Sequence, residues 1–465
     1  MNILFVSSEV YPFSKTGGLA DVAGALPEAL AARGHALLVL SPWYHSLRGP
    51  VAPLWVGDVS VPFGDGETAC GVGHLRRNGV DYAFVGHEVF QRESLYGYED
   101  DVRRFCLFSR AVPQVAERLG FRPRLLHAHD WHSAYLPMVL EHGWHLPEGF
   151  PGLRSVFTIH NVQYQGVSEL GATLHWLRLP GALRDSYLNR FGLANAMQGA
   201  LGFADRVSTV SPSYAEEIQT PAYGYGLDAT LRFIAPKLSG ILNGIDTELW
   251  NPAGDPALPA PYDAEDPTPK AASKARLCEV LGLEPKRPLL GVVSRLAEQK
   301  GLDLLVAALP GLLAQGWNLV ALGDGDPALA DALRAYSRLE GRRVASYIGY
   351  DEGLAHLIYA AADALAIPSR FEPCGLTQMI AMRYGTLPIA RATGGLRDTI
   401  AHDRTGFLFE SANPEGLLWA SGVARGAFEA KPHWRWMQAE AMAQDFSWER
   451  SAAAYEALYA GLERR

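Results

Sequence analysis

The sequence predicts an α/β protein of two doubly wound domains, each a parallel sheet covered by helices on both faces. Short apolar runs alternate with helix-like stretches along the chain, which is typical of buried parallel strands joined by helices. The alternation breaks at residues 241–269, where Pro, Asp and Ala accumulate, and then restarts. The length of 465 residues agrees with two or three domains, because domains average about 150 residues.

The apolar runs of the first half predict strands at 2–6, 36–40, 125–128, 155–159 and 206–210. Between the first two strands, apolar residues recur near every 3.6 positions from Leu19 to Leu30, which predicts a helix. Pro27 should either kink this helix or mark its start. Gly34 should end it.

The second half predicts strands at 288–293, 318–322, 344–348 and 364–367. The tail carries apolar residues at helical spacing from Trp448 to Leu458, which predicts a closing amphipathic helix. We therefore expect an N-terminal domain at 1–243, a C-terminal domain at 244–446, and a helix at 447–465 that packs back on the N-terminal domain.

Composition and charge exclude several classes of protein. Apolar residues make up 48% of the chain, which excludes disorder of the whole chain. Lys and Arg number 41 against 50 for Asp and Glu, a net charge of −9 that argues against a protein coating nucleic acid. The four cysteines are far apart and form no CxxC pair, which favours a reducing compartment. No signal peptide or membrane span is expected, so the sequence predicts a cytoplasmic protein without membrane or nucleic-acid partners.

Two loops carry cations where a strand ends and a helix begins. Lys15 precedes Gly17 and Gly18, and glycines at a helix start let backbone N–H groups meet an anion. A Gly-rich turn beside a surface lysine is the equally weighted alternative. Arg295 and Lys300 follow the strand at 288–293 and suit a diphosphate. A solvated basic loop is the alternative there.

A third loop, SRFEPCGLT at 369–377, follows the strand at 364–367. Amides near Gly375 and Thr377 would face a phosphate at the next helix start. Glu372 would hold sugar hydroxyls or offset positive charge at a reacting carbon, and the alternative is a helix-capping glutamate.

The segment HAHDWH at 127–132 raises the question of a metal site. We disfavour metal binding, because no second cluster at ligand spacing completes a coordination shell. His160 and Asn161 end another strand and could hydrogen-bond a polar ligand. The segment 323–328 matches GxGxxA, but Asp324 and Asp326 would repel a pyrophosphate, so NAD binding is disfavoured.

Taken together, these segments resemble the bacterial glycogen synthases, a family similar to plant starch synthases. The resemblance runs from residue 1 to the tail and rests on these motifs: KTGGLADV (15–22), LYGYED (95–100), HAHDWH (127–132), FTIHN (157–161), TVSPSYAEEI (209–218), ILNGIDTELWNP (241–252), SRLAEQKGLD (294–303), PSRFEPCGLTQ (368–378) and RATGGLRDT (391–399).

The resemblance implies a GT-B fold, in which two Rossmann-like domains face an interdomain cleft that holds the active site. It implies transfer of glucose from ADP-glucose to the non-reducing 4-hydroxyl of an α-1,4-glucan such as glycogen, with retention of configuration and without a cofactor or metal. The nearest alternative is a GT-B transferase that uses a small sugar as acceptor. A non-catalytic carbohydrate-binding scaffold is disfavoured, because it would not need a diphosphate pocket.

The resemblance also implies roles for particular residues. The catalytic set would be Glu372, Arg295, Lys300, His160 and Asp130. Lys15, Arg295 and Lys300 would stabilise the leaving diphosphate, with contacts from Gly18, Leu376 and Thr377. The donor glucose would be held by His160, Asn161, Asn243, Glu372, Cys374 and Gly375. The residues expected near the acceptor or elsewhere in the cleft are Asp130, Tyr96, Asp21 and Tyr350.

The pair of carboxylates that retaining glycosidases use is not evident in this sequence. Retaining glycosidases use two carboxylates about 5 Å apart, and we identify no such pair. The resemblance favours a same-face mechanism in which the departing phosphate helps deprotonate the acceptor. Many members of the wider superfamily carry a second glutamate eight positions after the one at Glu372, where this chain has Ile380. A contact from that position to the ribose is therefore not expected.

Overall fold

The computed structural model describes residues 1–47, 49 and 51–463. The chain divides into two compact units. Unit 1 comprises Met1–Leu242 together with Trp448–Arg465, and unit 2 comprises Asn243–Ser447. The division lies one residue from the boundary predicted between residues 243 and 244.

Unit 1 contains a sheet of nine strands and a small sheet of three. Its strands are β1 (Asn2–Val6), β2 (Ala36–Pro42), β3 (Leu54–Phe63), β4 (Gly66–Arg77), β5 (Val80–Gly86), β6 (Leu125–His129), β7 (Arg154–Ile159), β8 (Val167–Glu169), β9 (Asn189–Arg190), β10 (Leu193–Asn195), β11 (Arg206–Thr209) and β12 (Leu238–Gly240). The large sheet has the order β12-β11-β7-β6-β1-β2-β5-β4-β3, and the small one β8-β10-β9. The large sheet is parallel from β12 to β5, while β3 and β4 extend it in antiparallel fashion.

Helices cover this sheet. They are α1 (Gly18–Ala32), α2 (Asp101–Arg118), α3 (Leu136–His142), α4 (Leu170–Trp176), α5 (Ala196–Phe203), α6 (Pro212–Glu217), α7 (Asp228–Phe233) and a C-terminal helix (Trp448–Glu463). Helix α1 runs through Pro27, so the alternative that Pro27 marks its start is wrong. The helix already begins at Gly18. Proline within it removes one backbone N–H hydrogen bond, which the remaining bonds of the helix tolerate. Gly34 ends the helix as predicted, with a φ of +92°.

The C-terminal helix belongs to the core of unit 1. Trp448, Ala452, Tyr455 and Tyr459 are buried in one cluster with residues of β1, β2 and α1. Their spacing places them on one face of the helix. The last helix therefore completes the hydrophobic core of unit 1 although it follows unit 2 in the chain.

Unit 2 is built on a fully parallel sheet of six strands in the order β15-β14-β13-β16-β17-β18. The strands are β13 (Leu289–Val293), β14 (Asn318–Gly323), β15 (Val344–Ile348), β16 (Ala364–Ile367), β17 (Leu387–Arg391) and β18 (Phe407–Phe409). The helices are α8 (Lys270–Leu281), α9 (Leu302–Ala314), α10 (Pro327–Leu339), α11 (Glu352–Ala361), α12 (Thr377–Arg383), α13 (Gly394–Thr399), α14 (Pro414–Glu429) and α15 (Lys431–Met442).

The strands predicted from apolar runs are all present. The predicted strands at 2–6, 344–348 and 364–367 match β1, β15 and β16 at both ends, and the others differ by one or two residues. The antiparallel extension β3–β4 was not predicted, and neither were the parallel strands β5, β12, β17 and β18. β3 and β4 carry exposed polar residues among buried ones, so neither contains the continuous apolar run that marks a strand buried on both faces.

Within the residues described, no helix combines the length and apolar character needed to cross a membrane.

A buried hydrogen-bond chain links the C-terminal helix to the sheet of unit 1. The Tyr459 hydroxyl lies 2.8 Å from His127 Nδ1, and His127 Nε2 lies 2.6 Å from Thr158 Oγ1. Burial lowers the pKa of His127 well below its usual value, so the ring is neutral and each nitrogen has one partner.

We predict that Tyr459→Phe lowers the free energy of unfolding by about 1–3 kcal/mol, because it leaves His127 Nδ1 buried without a partner. Urea denaturation of the whole protein, followed by tryptophan fluorescence, measures the change. Tyr187→Phe is the matched control, since Tyr187 is 37% exposed and its hydroxyl can bond water. An equal effect of both substitutions would contradict the role given to Tyr459.

Candidate active site

The loop between β1 and α1 presents Lys15 beside the first turn of the helix. Lys15 Nζ lies 2.6 Å from Asp21 Oδ1, with 48% of the lysine side chain exposed. Burial raises the pKa of Asp21, and the charge of Lys15 acts against that rise. Lys15, Gly18 and Asp21 are thus brought together, with Asp21 as the partner of the lysine.

Glu9 is a site residue that the sequence analysis missed. It is 3% exposed, and its Oε2 accepts hydrogen bonds from Thr16 N at 2.5 Å and Thr16 Oγ1 at 2.9 Å. Burial raises its pKa to about 7, against the lowering effect of these bonds and of one from the Gly17 amide. The amides offered to an anion therefore begin at Gly18. Polar residues directly after a buried strand, Ser7-Ser8-Glu9, were the available signal.

Asp130 joins two of the predicted residues into one cluster. It follows β6 with a φ of +54°, and its Oδ1 accepts from the backbone N–H of His160 at 2.7 Å and of Asn161 at 3.3 Å. Burial raises the pKa of Asp130 to about 7. The ends of β6 and β7 are neighbours in the sheet, which explains why residues 30 positions apart meet.

His160 is held as a neutral ring in this cluster. Its Nε2 lies 3.0 Å from His129 Nδ1, and burial lowers its pKa to about 3. A neutral imidazole can hydrogen-bond a sugar hydroxyl and does not repel positive charge developing on a sugar carbon.

Tyr96 extends the cluster toward β1. Its hydroxyl lies 2.7 Å from Ser8 Oγ, and its ring stacks on His132 at 4.5 Å between centroids. Burial raises the pKa of Tyr96, and the charges of Glu9 and Asp130 add to the effect. Glu9, Tyr96 and Asp130 therefore lie close enough to influence one another.

The histidines at 127–132 have structural partners instead of a metal-binding arrangement. His127 is bonded through both nitrogens, and His132 stacks on Tyr96. The residues that the structure describes contain no group of three or more His, Cys, Asp or Glu able to hold a metal ion.

In unit 2, Lys300 and Glu372 form an ion pair at the carboxyl end of the sheet. Lys300 Nζ lies 2.8 Å and 2.7 Å from the two carboxylate oxygens of Glu372. Ser369 Oγ donates to Glu372 Oε2 at 2.9 Å. Glu372 is 6% exposed, so it is not a solvent-facing capping residue. Lys300 follows β13 and Glu372 follows β16, and the two strands are neighbours.

A second ion pair fixes the same two loops. The Arg370 guanidinium contacts both carboxylate oxygens of Asp303, at 2.6 and 2.7 Å, and Arg370 N donates to Gln299 O at 2.8 Å. Arg295 in contrast is exposed, and it forms no ion pair with any residue that the structure describes. Arg295 is therefore a cation available to a ligand.

The turn at 372–377 needs its glycine. Gly375 has a φ of +75°, and a Cβ there would lie 2.5 Å from Gln378 Oε1. Gln378 Nε2 donates to the carbonyls of Cys374 and Gly375 at 3.0 and 2.9 Å. Leu376 and Thr377 follow directly and begin α12. Asn243 is 8% exposed. Burial raises the pKa of the Cys374 thiol to about 12, against the lowering effect of the Asn243 backbone amide.

Two glycine motifs in unit 2 have structural explanations. Gly394 and Gly395 of the TGGLRD segment pack against the 372–375 backbone, and a Cβ on Gly394 would lie 2.0 Å from Glu372 O. In the GxGxxA segment, Asp326 caps α10 by accepting from Ala328 N at 2.7 Å and Leu329 N at 3.3 Å. The amides that a pyrophosphate would need are thus bonded to a carboxylate.

Tyr350 is a predicted site residue of unit 2 that follows a strand at the edge of the sheet. It follows β15, two strands from β13, and its side chain is 81% exposed. Its role stays a prediction.

We predict that Asp130→Asn stabilises the protein at pH 8 by on the order of 2 kcal/mol while lowering activity. Folding raises the pKa of the Asp130 carboxyl to about 7, so the ionised carboxylate lowers the free energy of unfolding fully above that pH. This loss of stability disappears as the pH falls toward the pKa of the carboxyl in the unfolded chain. Thermal denaturation from pH 4 to pH 8 should show the two proteins converging at low pH. Asp65→Asn is the control, because Asp65 is fully solvent-facing. Lower stability of Asp130→Asn at pH 8 would contradict the account.

Comparisons with known proteins identify the family of this chain. The starch synthase catalytic domain family matches residues 2–233, and the glycosyl transferases group 1 family matches residues 273–421. The chain is 48% identical over 462 residues to the glycogen synthase of Deinococcus deserti, with 99% of each chain covered. It is 46% identical over 464 residues to a glycogen synthase of Thermus thermophilus, again with 99% of each covered.

Comparison with solved structures also finds a starch synthase and a further protein of the same fold. The catalytic domain of starch synthase IV from Arabidopsis thaliana, bound to ADP and acarbose, superposes with a TM-score of 0.91 at 35% identity and covers 100% of this chain and 99% of its own. Sucrose-phosphate synthase from Thermosynechococcus elongatus shares the fold, with a TM-score of 0.62 at 20% identity, covering 100% of this chain and 99% of its own. The predicted GT-B fold class, the glycosyltransferase activity and the glycogen synthase function are confirmed. The chain belongs to the bacterial glycogen synthase and starch synthase family.

Proposed function

We propose that this enzyme transfers glucose from ADP-glucose to the non-reducing 4-hydroxyl of an α-1,4-glucan with retention, using the residues described above. The observation that carries the proposal is the Lys300–Glu372 pair beside the unpaired Arg295. These groups combine two cations for a diphosphate with one carboxylate for sugar hydroxyls. The related starch synthase IV structure, which holds ADP and acarbose, supports this choice of ligands.

The diphosphate of the donor is assigned to Arg295 and Lys300 of unit 2 and to Lys15 of unit 1. Arginine binds phosphate oxygens in bidentate fashion, and lysine acts as a point charge. At 4 Å and an effective dielectric constant near 20, each cation contributes a Coulomb energy of about 4 kcal/mol before desolvation. Because negative charge grows on the diphosphate as the glycosidic bond breaks, fixed cations stabilise the transition state.

The donor glucose is assigned to Glu372, Asn243 and the 374–375 backbone of unit 2, with His160 and Asn161 of unit 1. When the diphosphate takes over Lys300, both oxygens of Glu372 can accept sugar hydroxyls, while Oε2 keeps its bond from Ser369 Oγ. Neutral His160 adds a hydrogen bond without placing positive charge beside the sugar carbon. The ionised carboxylate of Asp130 would lower the energy of that positive carbon.

The retaining step is proposed to proceed on one face of the sugar. The bond from the anomeric carbon to the diphosphate oxygen breaks, and the bond from that carbon to the acceptor 4-oxygen forms on the same side. The acceptor proton passes to the departing phosphate oxygen, so the products are ADP and a glucan longer by one glucose. The two buried carboxyls of unit 1, Glu9 and Asp130, are engaged with backbone N–H groups and are not assigned as nucleophiles.

Position 380 supports a donor site without a second glutamate. Ile380 is 5% exposed and packs within unit 2, so its side chain serves the core. The cytoplasmic location expected from the sequence stays a prediction.

Transfer of radiolabelled glucose tests the proposal, with ADP-glucose and UDP-glucose offered separately and glycogen, fructose 6-phosphate or glucose as acceptor. We expect incorporation into glycogen from ADP-glucose, at least 10-fold faster than from UDP-glucose, because nucleotide discrimination of this size needs only about 1.4 kcal/mol. The Lys300→Ala variant is the control and should lose most of the activity. Incorporation only into a soluble sugar would contradict the glucan acceptor and favour the small-sugar transferase.

A further inference from the structure

Glu9 occupies an unusual position for a carboxylate. It follows the buried strand β1, is 3% exposed, and its Oε2 accepts hydrogen bonds from Thr16 N and Thr16 Oγ1 of the loop that carries Lys15. The functional residues implied by resemblance do not include Glu9 or Thr16.

Another internal anchor of the loop lies earlier in the chain. Val10 and Ser14 form a bridge, with Ser14 N donating to Val10 O at 2.9 Å and Val10 N donating to Ser14 Oγ at 3.2 Å. Beyond Ser14, the residues Lys15, Thr16 and Gly18 are exposed. Gly17, the residue before α1, has an extended backbone and no side chain with which to cap the helix. The contacts from Glu9 therefore hold the part of the loop nearest to α1.

We propose that Glu9 is a positioning residue that fixes the loop at Lys15–Gly18 for binding of the donor diphosphate, with Thr16 as its main contact. This inference rests on the proposed function. Glu9 does not contact the donor in this scheme. It orients the Lys15 ammonium and the amide of Gly18 by holding the two residues between them.

The two hydrogen bonds from Thr16 favour a carboxylate at this position. Both end on Oε2 of Glu9, and an ionised acceptor makes such bonds about twice as strong as a neutral one. A glutamine of the same size would offer these donors a neutral amide oxygen. Glu9→Gln therefore weakens the hold on the loop while preserving the volume of the side chain.

The surroundings of Glu9 make its ionised form costly. Burial raises the pKa of Glu9 to about 7, and the carboxyls of Asp21 and Asp130 interact unfavourably with its negative charge. The ionised form that accepts the bonds from Thr16 therefore reduces folding stability above that pH. Positioning of the loop gives a reason for this cost.

Steady-state kinetics of Glu9→Gln, Thr16→Val and Thr16→Ser test the inference, together with calorimetric binding of ADP. We expect Glu9→Gln to raise the KM for ADP-glucose and the Kd for ADP by about 10-fold or more, since hydrogen bonds to charged groups are worth that much. The KM for glycogen should not change, and kcat should change less than 3-fold. Thr16→Val should raise the same two constants by about 3–10-fold, and Thr16→Ser, which keeps the hydroxyl, should restore wild-type values.

Several results would overturn the inference. One is unchanged ADP-glucose KM and ADP Kd in Glu9→Gln; another is a fall in kcat alone. If Glu9→Gln fails to fold, the two Thr16 variants decide, because equal binding by Thr16→Val and Thr16→Ser would remove the contact from the mechanism. If the wild type transfers no glucose from ADP-glucose, the proposed function fails, and the Kd for ADP across the three variants still decides the role of Glu9.

Discussion

The ion pair between Lys300 and Glu372 is the interaction on which the site in unit 2 depends. It joins the loops that follow two neighbouring strands, β13 and β16. The side chain of Lys300 is 22% exposed and the side chain of Glu372 is 7% exposed. A pair this far from solvent is screened less than a surface pair. Loss of either partner would leave an uncompensated charge in a largely buried place. In the free enzyme each group thus satisfies the other, and a diphosphate with sugar attached offers a new partner to both.

In unit 1, buried carboxylates hold loops in place through bonds from backbone amides. The carboxyls of Glu9 and Asp130 are buried, and each accepts bonds from the N–H groups of a loop that follows a strand or leads into a helix. These bonds fix Thr16, His160 and Asn161 in the orientation that the fold requires. Burial raises the pKa values of the Glu9 and Asp130 carboxyls to about 7. Their ionised forms therefore lower folding stability, while they keep the site fixed and charged.

Much of this could be predicted from the chain, and the reasons for success and failure are physical. Parallel strands buried on both faces leave continuous apolar runs, so β1 and β16 were located to the residue. β3 and β4 mix exposed and buried residues and were missed. The loops at strand ends were singled out because only there can polar groups meet a ligand in a buried parallel sheet.

The partners within the site could not be read from spacing. Lys15 with Asp21, Asp130 with the amide of His160, and Lys300 with Glu372 depend on strand order and loop conformation. Glu9 was overlooked because a single glutamate in a polar stretch carries no motif. The glycines of the TGGLRD segment serve close packing against the backbone of Glu372, which their sequence alone does not indicate.

Calorimetric titration of ADP into wild type, Lys300→Ala and Glu372→Gln tests the central claim most directly. We assign Lys300 to the diphosphate and Glu372 to the glucose, which ADP lacks. We therefore expect Lys300→Ala to weaken ADP binding by about 10-fold or more. Glu372→Gln should bind ADP at least as tightly as wild type, because Lys300 is no longer neutralised. Equal weakening of ADP binding by both substitutions would contradict this division of roles.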